Sequence, residues 1–491
     1  MTSPALPDAP KPFRLEPGMR VHLVGIGGFG LSAIARVLLG KGYRVSGSDQ
    51  QVSQLSDELA RDGATVYLGH RAEQVAGAEL VLVSSAVPAG NPEIRAARKA
   101  GIPVVNRAEF LGQLMAGQRG IAVAGSHGKT TTTGMIAQVL VAAGLDPSVI
   151  MGGLSPSLGG NGRAGNGPHF LVEADEYDFM FHGLRPQVAV ITNVDYDHPD
   201  QYESPEAYRR AFEQFATLVP AAGGLVVCSD NQAALEVAQA SGLPAEAITS
   251  YGLASGNWQA SEIRLNQLGG SDFLVERDGM VVGLVRIRVP GEHNIRNALA
   301  AIAVASHEGV ELGVIRQALA TFGGVNRRFQ VVGEAGDVVI VDDYAHHPTE
   351  IRATLAAARQ RFAGRRLWAV WEPHTFSRTQ KLLADFAASF EAADRLVALD
   401  IYRSRETDTL GVDTAQVLKA MKRPDASHQP TVEAAAQHIL ERARPGDVII
   451  MLTAGEGNRV GWLVLAGLRR RLGAAGAVTR KLRPDADSPR R

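Results

Sequence analysis

The chain has 491 residues, 45% hydrophobic and 21% charged, with a net charge of −1. That length exceeds one ordinary hydrophobic core and predicts about three domains. The balanced charge, with no basic block in the body of the chain, argues against nucleic-acid binding, which needs clustered cations. No run reaches the roughly 18 apolar residues of a membrane span. The single cysteine, Cys228, has no partner for an intramolecular disulfide, so a reducing, cytoplasmic setting is expected.

Residues 1–12 carry prolines where a secretory signal needs an apolar run, and they read as a disordered lead. Residues 477–491, polar and basic toward their end, read as a disordered tail. Between them strand, Gly-rich turn and helix alternate, which predicts an α/β protein of three doubly wound, mostly parallel sheets. The first block, 13–115, has expected strands at 21–24, 44–48, 80–83 and 104–105. The second, 116–326, has strands at 121–124, 170–173, 188–192 and 225–228, and helices at 131–143 and 294–304. The third, 327–476, has strands at 338–341, 367–371, 396–399 and 448–452.

Gly25-Ile26-Gly27-Gly28-Phe29-Gly30 follows the first strand and opens a helix, and Asp49 ends the second strand. Glycines let a backbone approach a diphosphate, the helix N-terminus supplies N–H groups and a positive dipole, and the acid suits a ribose. NAD and a nucleotide sugar share these features, and the turn does not choose between them.

Gly125-Ser126-His127-Gly128-Lys129-Thr130-Thr131 also links a strand to a helix. Its N–H groups would wrap ATP phosphates, with Lys129 on the β- and γ-phosphates and the Thr130 hydroxyl toward Mg2+. It departs from the usual phosphate-loop spacing, because Val123 stands where the leading glycine would be. A hydride-transfer enzyme needs no γ-phosphate cradle, so two such loops imply two phosphorylated ligands. Glu173-Ala174-Asp175-Glu176 and Asp195-Tyr196-Asp197-His198 follow apolar strands, at the edge where α/β proteins build sites. A carboxylate and an imidazole there could hold Mg2+ beside Thr130. His346, His347, His374 and Arg378 lie just past strands of the third block, and a guanidinium suits a carboxylate.

Together these stretches, with SGSD, SSAVPAGNPE, RAEFL, PGEHNIRNALAAIA, RRF, DDYAHHPTEI and EPHTFSRT, resemble the Mur ligase family from Gly25 to about Gly457. The resemblance implies a Rossmann-like domain for a UDP-linked substrate, a central phosphate-loop ATPase, and a C-terminal Rossmann-like domain for the amino acid. It implies ATP, Mg2+, UDP-N-acetylmuramate and L-alanine as ligands. The reaction expected is ligation of the lactyl carboxylate to an amine through an acyl phosphate.

By position, the resemblance gives Gly25, Gly27, Gly28, Gly30, Asp49 and Ser85 to the UDP substrate. Residues Gly125 to Thr131, Asn297, Asp343 and Tyr344 go to ATP, and Thr130, Glu173 and His198 to the metal. His346, His374 and Arg378 go to the amino acid, and Lys129, His198, His346 and Arg378 to catalysis. No lysine occurs between Lys129 and Lys381, so the carbamylated lysine used by some branches of the family is excluded. Ala454-Gly455-Glu456-Gly457 departs from the family pattern, and Glu456 receives no role. A relative adding a peptide or another amino acid, or an NAD-dependent oxidoreductase with an accessory ATPase, are the rival readings. Oligomeric state stays open.

Overall fold

A computed structural model describes residues 13–481. The expected lead, 1–12, lies outside the described residues, as do residues 482–491. The chain forms three α/β domains on three sheets. The first sheet comprises β1 (Arg20–Val24), β2 (Arg44–Asp49), β3 (Thr65–Leu68), β4 (Leu80–Val83) and β5 (Val104–Asn106). They are all parallel in the order β3-β2-β1-β4-β5, with helices α1 (Phe29–Gly40), α2 (Gln54–Arg61), α3 (Pro92–Lys99) and α4 (Arg107–Leu114). The order reverses between β1 and β4, and the glycine turn sits at the carboxyl end of β1, where such folds hold ligands.

The second sheet has ten strands. Its first half contains β6 (Arg119–Ala124), β7 (Ser148–Ser155), β8 (Gly160–Arg163), β9 (His169–Glu173) and β10 (Val188–Ile191). Its second half contains β11 (Gly224–Cys228), β12 (Ile248–Gly252), β13 (Trp258–Leu265), β14 (Ser271–Arg277) and β15 (Met280–Ile287). The order is β15-β14-β13-β12-β11-β10-β6-β9-β7-β8. Helix α5 (Lys129–Ala142) leaves the phosphate loop, and α6 (Pro205–Ala216), α7 (Gln232–Ala240), α8 (Glu292–His307) and α9 (Leu312–Thr321) complete the layers. The antiparallel run β13–β15 was not among the expected strands. Its burial alternates, and Ile263, Leu265, Met280 and Val281 are exposed, so no continuous apolar run marks it.

The third sheet contains β16 (Gln330–Ala335), β17 (Val338–Asp343), β18 (Arg366–Glu372), β19 (Arg395–Ala398), β20 (Ala426–His428) and β21 (Asp447–Thr453), in the order β16-β17-β21-β18-β19-β20. Only β16 is antiparallel. Its helices include α10 (Pro348–Arg361), α11 (Phe376–Lys381), α12 (Leu383–Ala387), α13 (Thr414–Met421), α14 (Val432–Arg442) and α15 (Arg459–Lys481). The last of these runs past the expected tail boundary at 477, because the Ala-rich segment after Gly473 propagates a helix. Among the described residues no helix is long and apolar enough to cross a membrane.

By internal contacts the chain forms two compact units. The first holds both leading sheets up to Asn326, apart from Pro290–Glu292, which group with the second, and the second starts at Arg327. Within the first unit, α1 packs against β7 and β8, and residues of both domains share one apolar core that includes Leu31, Ile34, Ile150 and Phe170. Asn161 Nδ2 fixes the junction, donating to Phe29 O at 2.8 Å and to Ser32 Oγ at 2.9 Å. Gly162 makes the approach possible, since a Cβ there would collide with the Ala33 carbonyl of α1. Gly162→Ala is therefore expected to destabilise the first unit by about 1–3 kcal/mol. Gly313→Ala, on a helix with open space around it, should be neutral or stabilising. Equal unfolding temperatures for the two variants in calorimetry would rule out this account of the junction.

Candidate active site

The first glycine turn is folded by backbone bonds: Gly25 N and Ile26 N donate to Ser48 O at 2.8 and 3.1 Å. Asp49 braces it further, its Oδ2 accepting from Gly27 N at 3.0 Å. Gly25, Gly27, Gly28, Gly30 and Asp49 are thus one cluster, with Gly28 as the N-cap of α1 and no side-chain cap there. Ser85 lies just past β4, the strand paired with β1. Behind the cluster runs a network with no obvious sequence signal. Buried Glu93 accepts from Ser48 Oγ at 2.6 Å and pairs with His22 Nε2 at 3.1 Å and His70 Nδ1 at 2.8 Å. Burial alone would raise this carboxyl, but the bonds from His22, Ser48 and His70 hold it below its ordinary value.

The second loop needs glycine at its two tightest points. Gly125 has φ +133° and Gly128 φ +82°, and a Cβ at Gly128 would stand 2.7 Å from Asn297 Oδ1. That contact seats Asn297, on α8, directly against the loop. Ser126 Oγ donates to Asp195 O at 2.7 Å, and His127 N to Asn193 Oδ1 at 2.9 Å, fixing the loop to the segment after β10. Thr130 and Thr131 are buried in the first turn of α5.

Lys129 Nζ is turned onto the loop. It donates to Gly125 O at 2.5 Å and Ser126 O at 3.1 Å, and pairs with Glu176 Oε2 at 2.8 Å. Burial would lower its pKa, but Glu176 and Asp175 outweigh that and hold it above the ordinary value, so it stays charged. Thr130 Oγ1 donates to Glu173 Oε1 at 2.8 Å, and Gly152 N to Glu173 Oε2 at 2.6 Å. His198, with φ +54°, has Nε2 3.7 Å from Glu176 Oε1 and 3.9 Å from Asp197 Oδ2. Glu176, part of the acidic run seen in the sequence, receives no role of its own there. It is buried, touches both Lys129 and His198, and takes the Tyr208 hydroxyl at 3.3 Å. Glu173 and Thr130 offer hard oxygen donors side by side, a set suited to Mg2+.

Arg107, at the start of α4, reaches from the first glycine turn to the acidic segment after β9. Its Nη2 donates to Asp175 Oδ2 at 2.5 Å, and a Cβ on Gly30 would strike its Nη1, with its Cζ only 3.4 Å away.

The second unit carries its own cluster, at the carboxyl ends of β17, β18 and β21. Asp343 accepts from Phe329 N at 2.7 Å and Ala345 N at 2.8 Å, and burial pushes its carboxyl up to about 6. The Tyr344 ring lies under the Arg327 and Arg328 guanidiniums, at 4.9 and 5.1 Å. His346 meets His374 edge-on at 5.5 Å, His374 stacks on Tyr402 at 5.6 Å, and Arg378 Nη1 donates to His374 O at 2.5 Å. Glu372, inside EPHTFSRT but not singled out beforehand, ends β18 and takes Gly455 N at 2.9 Å. Burial raises its carboxyl to about 7, against Gly455, Gly457 and Arg327, which lower it, and with Glu456, which raises it.

This arrangement is that of a nucleotide-dependent ligase, and the chain belongs to the Mur ligase family. The family's catalytic-domain model matches residues 20–119, its middle-domain model 123–305, and the glutamate ligase domain model 327–455. Among its relatives is the UDP-N-acetylmuramate–L-alanine ligase of Desulfatibacillum aliphaticivorans, 43% identical over 91% of this chain and 98% of that one. The protein of that name from Geobacter sulfurreducens is 42% identical over 91% and 97%. Among solved structures, the UDP-N-acetylmuramate–alanine ligase of Thermotoga maritima matches with a TM-score of 0.77 at 28% identity, covering 94% of this chain and 100% of that one. A murein peptide ligase from Psychrobacter arcticus gives 0.69 at 28%, covering 92% and 99%.

The raised Glu372 carboxyl has a stability consequence. Between its ordinary value of 4.5 and about 7 the folded protein keeps a proton that the unfolded chain has released. Native stability should therefore fall as pH rises through that window and level off above it. Glu372→Gln, neutral throughout, should flatten the fall in urea unfolding between pH 5 and pH 8. An identical fall in both proteins would remove Glu372 as its source.

Proposed function

We propose that this chain catalyses the ATP-dependent ligation of L-alanine to UDP-N-acetylmuramate, a step in making peptidoglycan precursors in the cytoplasm. The observation that carries the reading is the pair of glycine-rich strand-to-helix turns within one compact unit, with Arg107 running from Gly30 to Asp175 in the acidic segment after β9. The high identity to alanine-adding ligases along nearly the whole chain supports it.

In this reading residues 13–115 hold the UDP substrate, 116–326 bind and use ATP, and 327–476 bind the amino acid. The glycine turn takes the diphosphate, with Asp49 and Ser85 toward the nucleoside. Residues Gly125 to Thr131 wrap the ATP phosphates, Lys129 exchanges Glu176 for the γ-phosphate, and Asn297 contacts the nucleotide beside Gly128. Asp343 and Tyr344 supply further nucleotide contacts. Thr130, Glu173 and His198 would hold Mg2+, which would offset negative charge on the transferring phosphoryl group.

A lactyl carboxylate oxygen attacks the γ-phosphorus and ADP leaves, giving an acyl phosphate. The neutral amine of L-alanine then attacks the acyl carbon, phosphate leaves with the bonding pair, and the amine's proton passes to a base. Arg378 and His374 hold the amino-acid carboxylate, and His346 accepts the proton. Catalysis is positioning plus electrostatic stabilisation.

ADP release measured with UDP-N-acetylmuramate and L-alanine, glycine, L-serine or a tripeptide in turn tests the reading. L-alanine should give the highest kcat/KM. A preference for the tripeptide would replace it with the peptide-adding activity named for the Psychrobacter relative. Lys129→Ala should reduce ADP release by at least about a thousandfold while UDP-N-acetylmuramate still binds. Loss of both in a folded variant would break the two-site division.

A further inference from the structure

We propose that Arg107 is a ligand of the nucleotide-sugar diphosphate, and that Asp175 competes with that diphosphate for it. The inference rests on reading the glycine turn as a diphosphate site, and it adds a residue and an internal competitor to that site.

The Arg107 guanidinium lies against the first turn of α1, its Cζ 3.4 Å from where a Gly30 Cβ would be, with Nη1 nearer still. A helix N-terminus carries the positive end of the helix dipole, and the N-cap here is Gly28, which brings no acceptor side chain. A cation at that point is repelled unless an anion lies beside it. In the described state that anion is Asp175, which reaches Nη2 from the segment after β9 in the neighbouring domain. The guanidinium is 28% exposed and Asp175 37%, so the pair is open to an incoming ligand.

A diphosphate seated in the turn would meet the α1 N–H groups and the fork of Arg107 together, the geometry a guanidinium favours for phosphate. It carries more charge than one carboxylate and accepts at several oxygens, so it displaces Asp175. Asp175 keeps an acceptor role of its own, since its Oδ1 takes Tyr177 N at 3.1 Å. Its carboxyl also lies in the field of Lys129 and His198. Filling the sugar site thus moves one negative charge out of its pairing with Arg107 and leaves it to Lys129.

A plain brace between two domains would respond differently from a competitor, and the sign of one substitution separates them. UDP, UDP-N-acetylmuramate and uridine binding are measured by titration calorimetry on the full-length wild type, Arg107→Ala, Arg107→Lys and Asp175→Asn, with melting temperatures recorded alongside. Expected are UDP binding weakened roughly tenfold or more in Arg107→Ala and less in Arg107→Lys, but tightened severalfold in Asp175→Asn. Uridine, without phosphates, should bind all four alike. If Arg107→Ala and Asp175→Asn both weaken UDP, Arg107 only braces the junction and the proposal fails. It fails too if Arg107→Ala leaves UDP untouched but weakens UDP-N-acetylmuramate, because the lactyl carboxylate would then be the partner. Should Arg107→Ala melt early, the opposite signs for Arg107→Lys and Asp175→Asn decide alone. A wild type that binds no UDP would overturn the diphosphate site itself, whereas a wild type that binds UDP with an indifferent Arg107→Ala overturns this inference only.

Discussion

Two helices of the first unit, α1 and α5, begin at glycines that leave their opening N–H groups without a capping side chain. An uncapped helix start is costly without an anion nearby, and most of the local structure can be read as managing that cost. Asp49 takes one N–H of the first turn. At the second, Lys129 folds over the loop carbonyls and is neutralised by Glu176. Asp175 balances the guanidinium that lies against the first turn. The acids after β9 therefore neutralise the cations that lie beside both turns.

Much of the site could be read from sequence because glycine-rich turns between a strand and a helix have a local physical meaning. Lys129, Thr130, Gly128 and Asp49 occupy such positions, and the structure gathers each turn as a unit. Residues whose role depends on distant chain contacts were not readable in that way. Arg107 and Asp175 lie 68 positions apart, and nothing in RAEFL or EADEYD announces their meeting. Glu173 and Glu176 look alike in sequence, yet one faces Thr130 and the other Lys129. Glu93, His22 and His70 form a buried cluster only after β1, β2 and β3 are aligned.

The fold shows the same division. Buried parallel strands such as β6, β10 and β21 are short apolar runs and were found. Edge strands were missed where one face meets solvent: β3 is four residues with no fully buried position, and β15 exposes Met280, Val281 and Leu284. In the third sheet, antiparallel β16 escaped for the same reason.

The pairing of Lys129 with Glu176 also sets what the second loop will admit. An internal carboxylate already sits at the ammonium, so a visiting ion must outbid a tethered neighbour whose effective concentration is high. Chloride or a lone monoanion brings too little charge to do so. A nucleotide's terminal phosphates bring several charges at once and are steered by the surrounding N–H groups. The loop thereby screens its visitors by valence before any base is recognised.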